Sequence, residues 1–98
     1  MGNIYHIVTA AAWSPFEGKS DYFADSLAIE GFIHCSTKAQ VAGVLERYYV
    51  GQSNLLLLKI NPKKLTSELR YEAATDNELF PHVYGVINFE AIEAVEKI

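Results

Sequence analysis

Ninety-eight residues, half of them hydrophobic, with a formal net charge of −4, describe one small acidic domain (1–98) able to build its own core. Charged residues make up 20% of the chain, which excludes intrinsic disorder, and the basic side chains include just two arginines, Arg47 and Arg70, which speaks against nucleic acid as a partner. Cys35 has no second cysteine to pair with, no leader-like segment opens the chain, and the apolar run Leu55 to Leu58 is too short to cross a bilayer, so a cytoplasmic domain without a membrane partner is expected.

Asn3 to Val8 reads as a strand buried on both faces, with His6 in its middle. Thr9 caps a short helical turn, Ala10 to Trp13, which Pro15 limits. Phe16 to Ser20 is expected to be a loop pivoting on Gly18, followed by Tyr22 and Phe23 as aromatic cover for a core or pocket. Asp25 to Glu30 reads as a short helix, with Gly31 in the left-handed position beyond its last turn. A strand from Phe32 to Cys35 follows. Alternation puts Phe32 and His34 on one face and Ile33 and Cys35 on the other, and Ser36 joins the face of His34 if the strand runs that far. Ser36 or Thr37 then caps the longest helix, about Lys38 to Tyr49. Its Val41, Val44, Leu45 and Tyr48 form one apolar stripe, and Gly51 stops it.

Asn54 to Ile60, with four consecutive leucines, is expected to be a central strand. Asn61 to Lys64 makes a turn. Ser67 to Ala73 alternates Leu69, Tyr71 and Ala73 against Arg70 and Glu72. Thr75 to Glu78 is a polar loop. Phe80 to Tyr84 is a strand or extended segment carrying His82 and closed by Gly85. Phe89 to Ile92 reads as a turn of helix, and Ala94 to Ile98 as a closing strand. This order predicts an α+β domain built on a largely antiparallel sheet, with one long helix and one or two short ones.

The three histidines, His6, His34 and His82, each sit inside an apolar or aromatic run. A single strand histidine is ordinarily half-buried and satisfied by a carbonyl. Three in such settings point to at least two lining one pocket, where imidazole can serve as acid, base or hydrogen-bond donor. They lie too far apart in sequence for a local zinc motif, so a three-histidine metal site depends wholly on the fold. Ser36 reads first as a helix cap, and Cys35 as a small buried hydrophobe. Glu72 reads as a solvated strand residue that stabilises positive charge if its face meets the histidines. Tyr5, Trp13, Tyr22, Phe80 and Tyr84 are core or rim positions that also suit a flat heterocycle.

The segments Ile4-Tyr5-His6-Ile7, Glu30-Gly31-Phe32-Ile33-His34-Cys35-Ser36 and Phe80-Pro81-His82-Val83-Tyr84-Gly85 occur together with Trp13, Ser26-Leu27 and Glu72. Over nearly the whole chain they resemble a family of small bacterial and plant proteins catalogued only as a domain of unknown function. More distantly, Tyr5-His6 and His34-Cys35-Ser36 resemble motifs of the ADP-ribosyltransferase-like fold, in particular its RNA 2′-phosphotransferase branch. That resemblance implies an ADP-ribosyltransferase-like fold with NAD or a related nucleotide as small-molecule ligand and substrate. It implies that His6 holds a ribose hydroxyl, that His34 and Ser36 line the nicotinamide side, and that Glu72 or His82 takes the late position assisting glycosidic cleavage. The branch's phosphate-holding arginines have few counterparts here, Arg47 and Arg70. The expected catalytic set is His6, His34, Glu72 and His82. The expected ligand-binding set is Tyr5, Trp13, Ser36, Phe80 and Tyr84, with no metal. A binding domain without turnover and a three-histidine metal protein stand as the alternatives.

Overall fold

The computed structural model describes residues 2–18 and 21–98, so the Lys19-Ser20 end of the expected loop lies outside the described residues. The described strands are β1 (Ile4–Thr9), β2 (Ile33–His34), β3 (Ser36–Thr37), β4 (Leu55–Ile60), β5 (Glu68–Ala73), β6 (Leu79–Tyr84) and β7 (Ile92–Lys97). The helices are α1 (Ala10–Trp13), α2 (Asp25–Glu30) and α3 (Val41–Tyr48). The domain is α+β and every strand pairing is antiparallel, but there are two sheets where the sequence suggests one. The first has the order β3-β1-β4-β7 and the second β2-β6-β5.

The leucine run does become an interior strand, with β1 on one side and β7 on the other. Cross-strand partners Ile4 and Ile60, His6 and Leu58, and Val8 and Leu56 share one face. Ile4, Val8, Leu58 and Ile60 from this sheet meet Ile33 and Val83 from the second in a common core, completed by Trp13, Tyr22, Ile87 and Ala91. Burying each large apolar side chain there stabilises the fold by roughly 1.5–3 kcal/mol. Tyr22 is stitched to Ile87 by two backbone hydrogen bonds, of 2.9 and 2.8 Å, which seats its ring inside the core.

Local chemistry explains several boundaries. The Thr9 hydroxyl accepts from the Ala12 N–H at 3.1 Å and starts α1. Gly31 ends α2 at φ 89°, a conformation that a side chain disfavours. Two boundaries differ from expectation. The long helix is in two parts, a 3-10 turn over Lys38–Gln40 and then α3. Thr37 is its cap, in a capping box with Gln40, while Ser36 belongs to β3. The Gln40 amide also donates to the Leu79 carbonyl at 2.8 Å and to Glu78 at 2.9 Å, an anchorage that accounts for the tight first turn. The closing strand starts at Ile92, after a 3-10 turn over Phe89–Ala91, two residues ahead of the expected Ala94.

The largest departure concerns Phe32 to Cys35, which is not one strand. The two-residue β2 pairs with β6, and β3 pairs with β1 in the other sheet. Between them the Cys35 N–H donates to the Pro81 carbonyl at 3.0 Å, and its side chain is buried in the shared core. The chain therefore changes sheets across a single residue.

Candidate functional site

A cleft lies beside the sheet change. Its volume is about 810 Å³. One wall comes from β1 and the Tyr22–Ser26 segment, another from the end of α3, and its histidine end from His34, Ser36, Phe80 and His82.

His6 is buried at that end, with both ring nitrogens engaged. Nδ1 lies 2.7 Å from the His34 carbonyl, which can only accept, so Nδ1 carries the proton. Nε2 is then the acceptor for the Tyr22 hydroxyl at 2.8 Å. Burial lowers the His6 pKa to about 4, so the ring is neutral at pH 7. Burial likewise pushes the Tyr22 phenol and the Cys35 thiol up, which keeps Tyr22 a donor and leaves Cys35 a poor nucleophile.

His34 and His82 face each other across the β2–β6 pair, where they are direct register partners, with ring centroids 5.4 Å apart and planes at 77°. His34 is half-exposed, and its Nε2 is 2.8 Å from Glu30. His82 is 4% exposed. Its ring stacks on Phe32 at 4.1 Å, with 19° between the planes. Its Nδ1 is 2.8 Å from Glu72 Oε1, and the Tyr84 hydroxyl donates to the same oxygen at 2.6 Å. Antiparallel register makes this possible, because Glu72 pairs with Phe80 and Arg70 with His82, so all four side chains share one face. The Tyr84 hydroxyl, and then His82, hold the Glu72 carboxyl below the usual carboxylate range. The Arg70 guanidinium sits 4.4 Å above the Tyr84 ring.

The structure thus places His6, His34, Ser36, Phe80 and His82 around one cleft. Glu72 touches it only through His82, and Tyr84 stands behind Glu72. Trp13 is in the core, with its ring 5.6 Å from that of Tyr22. Tyr5 points to the opposite face of β1 from His6 and lines a separate depression with Thr37 and Tyr71, as strand alternation requires. Two partners were not foreseen. The sequence offers Tyr22 only as an aromatic cover, and nothing local pairs it with His6. The Glu30–His34 contact joins a helix end to a strand. Among the described residues the cleft lining includes Asp25 but no lysine or arginine. Also among the described residues, no three side chains of the histidine, cysteine, aspartate and glutamate types gather so as to hold a metal ion.

The DUF952 family, described as a protein of unknown function, matches residues 7–95. The chain belongs to that family. The match spans His34, Ser36, Glu72 and His82 and begins one residue after His6. No curated protein matches the sequence. The crystal structure of protein CC0527 from Caulobacter crescentus is similar, with a TM-score of 0.86 and 26% identity over 97% of this chain and 84% of that one. The solution NMR structure of CC0527 gives a TM-score of 0.84 and 26% identity over 100% and 85%. A double mutant of CC0527 superimposes equally well, with a TM-score of 0.86. The two-sheet arrangement of this DUF952 domain is therefore shared with experimentally determined structures. Among the described residues no helix is long and apolar enough to cross a membrane.

Proposed function

We propose that the cleft binds NAD or a related nucleotide and that the domain is an ADP-ribosyltransferase-like enzyme breaking the bond between nicotinamide and ribose. The observation that carries this reading is the convergence of His6, His34, Ser36 and His82 at one end of an otherwise largely apolar cleft. The volume of about 810 Å³ falls within the range of small-molecule sites, roughly 300–1,000 Å³. Phe80 and the other aromatic lining suit a flat heterocycle, and the polar end suits sugar hydroxyls. Since both nitrogens of His6 are engaged, its part is to orient the Tyr22 hydroxyl, whose oxygen keeps a lone pair for a ribose O–H. Glu72 acts through His82 and not on the sugar directly. The partner is a small molecule, not a nucleic acid.

Titrating ring-labelled protein with NAD tests this by NMR. Shifts at all three histidines, with free nicotinamide accumulating, are the expected result. A spectrum unchanged at millimolar NAD sinks the reading. A second reading, binding without turnover, is favoured by one observation: among the described residues the cleft lining carries no lysine or arginine to hold a pyrophosphate in a strained, reactive pose. Saturable shifts with no nicotinamide would decide for it.

A further inference from the structure

His82 is a buried side chain with one nitrogen used and one left over. A carboxylate can only accept, so the Glu72 contact places a proton on Nδ1, and in the neutral ring Nε2 is then a bare lone pair. That nitrogen is buried, and among the described residues no protein group bonds to it. A buried acceptor without a partner weakens a fold, and buried ring nitrogens are ordinarily satisfied. Here everything around the ring is built to hold it in that state. Phe32 stacks on its face, the His34 ring meets it edge-on, and Glu72 is itself pinned by Tyr84. His82 is among the residues that line the cleft, while Glu72 and Tyr84 are not. An imidazole oriented by a carboxylate, with its second nitrogen unbonded and its residue lining a cleft, is the arrangement that takes a proton from an attacking group.

We propose that His82 is the proton acceptor for an incoming hydroxyl, water or an alcohol, and that Glu72, fixed by Tyr84, is the positioning residue that keeps Nε2 bare. The proposal rests on the nucleotide-cleaving reading above. In the step it describes, the C–N bond between the ribose anomeric carbon and nicotinamide breaks, and both its electrons leave with nicotinamide. The hydroxyl oxygen bonds to that carbon. Its proton passes to His82 Nε2, and the Glu72 carboxylate balances the imidazolium until the proton returns to solvent. The acceptor must have a proton to give up, as a hydroxyl does and an anionic nucleophile does not.

The test measures nicotinamide release from NAD by the wild-type protein and by Glu72→Gln, His82→Gln and Tyr84→Phe, each with and without added azide. Azide attacks without losing a proton, so it needs no base. The ring tautomer of His82 in the free wild-type protein is read from its nitrogen shifts. The expected result is a proton on Nδ1 and a kcat lowered about a hundredfold or more in Glu72→Gln and His82→Gln. KM should stay within about threefold, and azide should restore release in both variants. Tyr84→Phe falls between them and the wild type. A structural role alone would lower activity without azide rescue. Should His82→Gln fail to fold, Glu72→Gln still carries the test, since its side chain reaches the surface. Variants as fast as wild type, loss of activity that azide cannot restore, or a proton on Nε2 each overturn the proposal and leave the reading of the cleft standing. A wild-type protein that releases no nicotinamide overturns that reading and the proposal together.

Discussion

His6 is a neutral bridge between the sheets, and its neutrality has a cost at low pH. The unfolded chain takes up a proton at this residue below the ordinary histidine value of 6.5, while the folded ring resists until about pH 4. The depressed pKa therefore contributes a loss of stability that begins as pH falls through 6.5 and levels off near 4, amounting to about 3 kcal/mol. Denaturant melts across that window should show the decline, and His6→Asn, with nothing to titrate there, should lack this part of it. A decline identical in the two proteins would remove His6 as its source. Tyr22→Phe keeps the ring contacts to Trp13 and Phe16 but leaves His6 Nε2 without its donor. It should cost about 1–3 kcal/mol, read as a lower denaturation midpoint at unchanged m-value. At this scale the sequence is legible for the presence of three histidines in apolar runs. It is silent on which hydrogen bonds each would make, because the partners of His6 come from the sheet-crossing segment and from the loop before α2.

Elements held by neighbours in sequence were readable, and those held by distant partners were not. The Thr9 cap, Gly31 and the β4 leucine run announce themselves through spacing and residue type. The division of Phe32–Thr37 does not, since both halves carry strand-forming residues and their partner strands, β6 and β1, lie far off in the chain. The link between α3 and the β5–β6 hairpin is equally hidden. Gln40→Ala removes the capping partner of Thr37 and both bonds to the hairpin. A loss of about 2 kcal/mol is expected. The Ala74 amide, which donates to the Glu78 carbonyl, should exchange faster with solvent. Unchanged exchange there would show that Gln40 does not restrain the hairpin. After β6, Gly85 adopts φ 154°, and a Cβ there would run into the Ser67 side chain. Ser67 cannot easily move, because its hydroxyl donates to the Val86 carbonyl at 2.6 Å. Gly85→Ala should destabilise by about 1–3 kcal/mol, and adding Ser67→Gly should recover part of the loss in thermal melts.

For the molecule as a whole, a net charge of −4 and a cleft whose lining, among the described residues, includes Asp25 but no lysine or arginine predict that ligand attraction is short-ranged. The affinity for NAD should change less than about twofold between low salt and about 0.5 M salt. A steep dependence would put the ligand's phosphates on cations outside the cleft. The α+β class was within reach of the sequence. The pairing of two sheets was not, because strand order is set by long-range register. The sheet change at Cys35 gives that architecture its last consequence. Neighbouring residues of one peptide answer to two different sheets, and the His34 carbonyl that tethers the His6 ring sits at the joint. Neither sheet can peel away without dragging the other. The domain is thus wired as a single fuse: hydrogen-exchange protection of the inner strands of both sheets should be lost in one event.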